Sequence, residues 1–210
     1  MAITYQKEIS PGTFFALWKI EECVEELRAK LQLKKHEEEF LQSIHHDKRK
    51  LHWLGARVLL RAMLNTNTYI DYGVDIQGKP FLINFPYSIS ISHSFDYAAV
   101  MVSEQYQVGI DIELISPKIE QVAPKFLLPN ELNFIEFNHR IEHLYACWCA
   151  KEAIYKLNGK RGVSLLNDIR LNPFEYQQRG KIEANLIADD SHFTAYFEKF
   201  DKYMICWVIR

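Results

Sequence analysis

Asp111 and Glu113 stand two residues apart in Val108-Gly-Ile-Asp-Ile-Glu-Leu114, and Glu152 and Lys156 stand four apart in Trp148-Cys-Ala-Lys-Glu-Ala-Ile-Tyr-Lys156. The first run alternates as a half-buried strand does, because side chains i and i+2 share a face. Ile110, Ile112 and Leu114 point one way, and Gly109, Asp111 and Glu113 the other. At ~3.3 Å rise per residue the two acidic Cα atoms lie roughly 6.6 Å apart, close enough for both carboxylates to converge on one hard cation. Gly109 on the same face leaves room for a ligand to approach the backbone. Two bare carboxylates side by side repel unless a cation or basic group sits between them. A solvated strand face is the ordinary alternative for an isolated pair of this kind.

The second run predicts a helix from Leu144 to Lys156. Ala146, Ala150 and Ala153 are strong helix formers, and the first breaker is Asn158-Gly159. Glu152 and Lys156 then share one face with Trp148 a turn earlier, and Lys151 lies about 100° round the axis. Taken alone, Glu152 and Lys156 would be a surface pair worth ~0.3–0.5 kcal/mol. Taken with the carboxylate strand, they describe a magnesium and pyrophosphate site split over a strand and a helix.

Together the two runs closely resemble the Sfp-type 4′-phosphopantetheinyl transferase family. That family carries G-x-D-x-E followed by W-x-x-K-E-x-x-x-K, and every motif position is matched by Gly109, Asp111, Glu113, Trp148, Lys151, Glu152 and Lys156. Gly78-Lys79-Pro80 resembles its G-K-P turn, and Ile89-Ser-Ile-Ser92-His93-Ser94 its I-S-H-S strand end. The resemblance spans roughly residues 45 to 165, with the four motifs in family order.

The resemblance implies Mg²⁺-dependent transfer of the 4′-phosphopantetheine arm of coenzyme A to a serine of an apo acyl or peptidyl carrier protein, releasing 3′,5′-ADP. It implies Asp111, Glu113 and Glu152 as metal ligands, Glu152 also as base, and Lys151 and Lys156 as point charges on the phosphates. Such chemistry is mostly positioning and charge neutralisation. Ser92 and His93 would meet the 3′-phosphate, and Lys79 and Pro80 the adenosine end. Lys50 and Arg57, on a basic stripe of the helix Asp47 to Leu64 with Arg61, are weaker candidates for the nucleotide phosphates; a solvated stripe beside a core face explains them equally well. The alternative reading is a non-catalytic coenzyme A or nucleotide-binding protein on the same scaffold.

The same family implies an α+β fold of two similar halves related by a pseudo-twofold, with the active site in the cleft between them. Here the halves would be residues 1–105, binding the nucleotide, and 106–210, holding metal and pyrophosphate. A faint internal repeat agrees: Trp53-Leu-Gly-Ala-Arg57 parallels Trp148-Cys-Ala-Lys151, and each is followed by β-rich sequence. The short connection Ser103 to Gln107 predicts an antiparallel hairpin that brings the His93 strand pair and the Asp111 strand into one sheet.

His139-Arg-Ile-Glu142-His143 fits the inverted zinc-peptidase pattern. With no third ligand specified, and with charge all around it, it reads as a solvated helix face.

At 210 residues and 48% hydrophobic, the chain can bury about 70% of its unfolded surface. A net charge of −2 argues against general nucleic-acid binding. Cys23, Cys147, Cys149 and Cys206 lack metal-finger spacing and read as reduced, mostly buried thiols. With neither a signal segment nor an 18-residue apolar run, the expectation is a cytoplasmic monomer without membrane association.

Overall fold

The computed structural model describes residues 3–210. The first part of the chain runs through β1 (Tyr5–Ser10), β2 (Thr13–Lys19), α1 (Val24–Ala29), α2 (Lys35–Ser43) and α3 (Asp47–Met63). It continues with β3 (Tyr72–Val74), β4 (Pro80–Leu82), β5 (Ser88–Ser94) and β6 (Tyr97–Ser103). The second part contains β7 (Val108–Leu114), α4 (Ile119–Val122), α5 (Pro129–Leu132) and α6 (Arg140–Asn158). It closes with β8 (Ile169–Leu171), β9 (Arg179–Leu186), β10 (Ser191–Phe200) and β11 (Tyr203–Ile209). The fold is α+β, and none of these helices is long and apolar enough to cross a membrane.

Period-two alternation decides the layering. In β2, Ala16 and Trp18 face α3, joining Leu54, Val58 and Leu59 in one core, while Phe15 and Leu17 face the other way. The strands order β1-β2-β6-β5 in one antiparallel sheet and β7-β11-β10-β9-β8 in a second. Between the sheets, Phe15, Leu17, Ala99 and Met101 pack against Val108, Ile110, Ile112, Tyr203, Ile205 and Trp207. On the outer face of the second sheet α6 lays down Ala146, Ala150, Ala153 and Ile154 against Met204, Cys206 and Val208. The layers therefore run α3, first sheet, second sheet, α6.

The expected hairpin through Ser103 to Gln107 does not form. β6 has both edges taken by β2 and β5, and β7 pairs with β11, so the short connection passes from one sheet to the other. β7 nevertheless lies alongside β5, because three side chains substitute for a backbone ladder. Ser90, Ser92 and Ser94 accept hydrogen bonds through Oγ from the amides of Ile110 (3.0 Å), Ile112 (3.3 Å) and Leu114 (3.0 Å).

Gly109 also serves a different purpose from the one expected. A Cβ built there would lie 2.0 Å from the carbonyl oxygen of Ala153. The missing side chain admits the backbone of α6, not a ligand. The helix ends as predicted, on Gly159 in the left-handed conformation at φ 68°. Cys147, Cys149 and Cys206 are buried, and Cys23 is exposed.

Gly109→Ala should destabilise the fold by at least ~2 kcal/mol, as overpacking against rigid backbone does. Chemical denaturation measures this, and a midpoint equal to wild type would contradict the close approach.

Candidate active site

β7 carries Asp111 and Glu113 to the face covered by α6, and α6 returns Glu152 and Lys156 toward them. Lys156 does not pair with Glu152 as a surface helix pair would. Its Nζ donates to Asp111 Oδ1 (2.7 Å), Ser92 Oγ (2.8 Å) and the Ile110 carbonyl (3.1 Å). All three ammonium donors are thus engaged, and Lys156 stands as the counter-charge of Asp111.

Asp111 Oδ1 also accepts from Ser92 Oγ at 2.8 Å, while Asp111 Oδ2 is buried with no hydrogen-bond partner. Glu113 accepts from Ser94 Oγ at 2.7 Å, and the Trp148 indole N–H supports it as well. Burial, reinforced by the charge of Asp111, raises the Glu113 carboxyl above its ordinary value. For Glu152, burial and then Asp111 and Glu113 raise the carboxyl to about 7, with Lys156 opposing. Three acids therefore face one another with a single ammonium among them.

That donor set fits a hard divalent cation: it offers oxygen ligands only, an unpartnered buried carboxylate oxygen, and a surplus of negative charge. Among the described residues no three His, Cys, Asp or Glu side chains are gathered tightly enough to enclose an ion unaided. The remaining coordination positions would fall to phosphate oxygens and water, as Mg²⁺ ordinarily requires.

Lys151 is not at this cleft. It is fully buried on another side of α6, where its Nζ donates to the Phe126 carbonyl (2.8 Å), the Leu165 carbonyl (3.0 Å) and Glu131 (2.8 Å). Glu131 in turn accepts from the amides of Leu128 and Leu171. The expected phosphate contact is corrected to a closed structural pair whose donors are all spent.

Ser92 is likewise committed elsewhere. Its single hydrogen goes to Asp111, and its lone pairs receive Lys156 and the Ile112 amide. Nothing is left for a 3′-phosphate. His93 lies on the opposite side of β5 from Ser92 and stacks on His52 of α3, with ring centroids 4.3 Å apart. Burial, and then His52, lower its pKa.

Lys79 donates to the Leu157 carbonyl at the end of α6 (2.9 Å) and to Gln107 (3.4 Å), while Arg161 holds the Gln77 carbonyl at 2.9 Å. The turn before β4 is so tied to the end of α6. Lys79 and Pro80 line a cavity of about 250 Å³ together with Ile89, Tyr155 and Lys156.

The basic stripe of α3 does not reach this cavity. Arg57 is sandwiched between Trp53 (3.5 Å) and Tyr72 (4.3 Å) and pairs with Glu37, and Lys50 pairs with Asp47.

The His139, Glu142 and His143 pattern holds no common centre. Glu142 pairs with Lys199 at 3.2 Å, and His143 is fully buried against Phe134, Phe174 and Tyr176. The expected solvated face is corrected at His143. Its Nδ1 accepts the Glu136 amide at 3.3 Å, which places the proton of the neutral ring on Nε2.

Sequence reasoning missed Ser90, Ser94 and Glu131. The first two had a signal: serines at alternate positions from Ser88 to Ser94 set a polar face on an otherwise apolar strand. Glu131 had none, since its partner is 20 residues away.

Residues 107–208 match the model of the 4′-phosphopantetheinyl transferase superfamily. The chain is 34% identical over 117 residues to the 4′-phosphopantetheinyl transferase AcpT of Escherichia coli, covering 53% of this chain and 59% of that protein. It is 28% identical over 136 residues to a 4′-phosphopantetheinyl transferase of Bacillus subtilis, covering 63% of this chain and 58% of that protein. The matched regions thus span under two thirds of these relatives' lengths.

Two outcomes follow from the corrected residues. Lys151→Met leaves Glu131 buried without its counter-charge, so it should cost ~3–5 kcal/mol of stability; a loss under ~1 kcal/mol in urea denaturation would show that the pair is dispensable. For His143, burial lowers the folded pKa to about 4 from the ordinary histidine value of 6.5. The unfolded chain then binds the extra proton first, so stability is lost as pH falls from 6.5 toward 4. His143→Gln, which keeps an acceptor, should flatten that part of the melting-temperature profile, and an unchanged slope would refute the assignment.

Proposed function

We propose that the protein transfers the 4′-phosphopantetheine arm of coenzyme A to a serine hydroxyl of an apo acyl or peptidyl carrier protein, with Mg²⁺ as cofactor and 3′,5′-ADP as leaving product. The observation that carries this reading is the meeting of Asp111, Glu113 and Glu152 around Lys156, beside a cavity bounded by β4, β5 and α6. In this reading residues 1–105 hold the nucleotide and 106–210 the metal and pyrophosphate. The protein acts as a cytoplasmic monomer.

Asp111, Glu113 and Glu152 would hold Mg²⁺, which when bound supplies charge neutralisation and alignment of the pyrophosphate. The carrier serine Oγ attacks the phosphorus bearing the pantetheine arm, the bond from that phosphorus to the bridging oxygen breaks, and 3′,5′-ADP leaves. Glu152 takes the hydroxyl proton. Lys156 reaches the phosphates by exchanging one of its three present acceptors. His93, with Lys79 and Pro80 at the cavity wall, faces the nucleotide end.

Incubating the protein with coenzyme A, Mg²⁺ and several apo-carriers, and reading the carrier mass, tests the reading. One phosphopantetheine should be added per carrier. Glu152→Gln should slow the transfer by at least ~10²-fold, the lower end of general-base assistance. Binding of coenzyme A with no mass gain on any carrier would favour a non-catalytic binder.

A further inference from the structure

The hydroxyls that aim the two carboxylates of β7 come from the other sheet. β5 pairs with β6 on one edge, and its opposite edge faces β7 through side chains alone. Ser90, Ser92 and Ser94 each receive one amide of β7. Ser90 does only that, whereas Ser92 and Ser94 also donate their single hydrogens to Asp111 Oδ1 and Glu113 Oε2. One oxygen of Asp111 is thereby fixed and the other left bare, buried and unpartnered. A carboxylate with one oxygen clamped can no longer spin about its terminal bond, so its other oxygen keeps a single direction.

We propose that Ser92 and Ser94 are positioning residues that set how tightly the carboxylate strand holds a divalent cation. Ser94 acts through Glu113, and Ser92 acts through Asp111 and Lys156. This inference rests on the reading of Asp111, Glu113 and Glu152 as cation ligands given above. It adds that the grip on the cation is built across the seam between the sheets, so that parting β5 from β7 loosens the cation as well.

Ser90 supplies an internal control, because it makes the same amide contact without touching a carboxylate. Three variants, S94A, S94T and S90A, are compared in the full chain with coenzyme A present. Binding of Mn²⁺ is read by electron paramagnetic resonance, and the Mg²⁺ concentration for half-maximal transfer is read in parallel. A hydrogen bond to a charged group contributes ~1.5–3 kcal/mol, so losing the aim of one ligand should raise both cation constants about tenfold in S94A. S94T keeps the hydroxyl and should restore them to within about threefold of wild type, as a measured binding ratio. S90A should lower the melting temperature about as far as S94A yet leave the cation constants unchanged.

The KM for coenzyme A should stay the same in S94A and S94T. If S94A is too unstable to assay, S94C, whose thiol is a weak donor, should fall between S94T and wild type on one side and the tenfold loss on the other. The proposal is overturned if S94A and S90A change melting temperature alike and neither moves the cation constants, or if S94T fails to restore them. A wild type whose transfer and Mn²⁺ binding show no cation dependence would overturn it too, and would do so by removing the ligand assignment itself.

Discussion

A strand at the edge of a sheet exposes every second amide, and buried amides must find acceptors. β7 meets this constraint while also carrying two acids into the same seam. A backbone partner on that side would have satisfied the amides but brought no group able to hold a carboxylate. Serine hydroxyls can do both, because each accepts from an amide and donates to an acid. The placement of the carboxylates and the hydrogen bond that Lys156 makes beside them both draw on that choice of side chain at Ser92 and Ser94.

Two lysines five residues apart on α6 divide the electrostatic work. Lys151 is closed off, paired with Glu131 and two carbonyls, and it ties α6 to the segments around Phe126 and Leu165. Lys156 is partly open and lies among acids whose combined charge it only partly offsets. Burial removes the first from chemistry and leaves the second in it. Their order in the motif gives no hint of this, since both are lysines on a helix rich in alanine.

The α+β class, the carboxylate strand, the helix that ends at Gly159 and the closing strands were legible because each rests on local pattern: alternation, helix formers and a breaker. Gathering Asp111, Glu113, Glu152 and Lys156 was legible only because a family motif spans the strand and the helix together. What escaped depends on contacts distant in sequence. The apparent hairpin at Ser103 to Gln107 failed because β6 was already occupied on both edges by β2 and β5, which no short window reveals. Arg57 read equally well as a phosphate ligand and as part of a solvated stripe, and it is neither exposed nor free, because Trp53, Tyr72 and Glu37 enclose it. His143 looked solvated because its charged neighbours in sequence are not its neighbours in space.

The order of the second sheet bears on how the molecule is made. β11, the last strand in the sequence, lies between β7 and β10. During synthesis β7 leaves the ribosome with no partner on that edge, and the inner face of the first sheet, Phe15 and Met101 included, lacks the cover of Tyr203, Ile205 and Trp207 until residues 203–209 follow. A chain stalled before that point would show both an open strand edge and an apolar sheet face, the features that chaperones and aggregates recognise. In such an intermediate the acids of β7 sit on a strand without its backbone ladder, and their spacing is fixed only when β11 slots between β7 and β10.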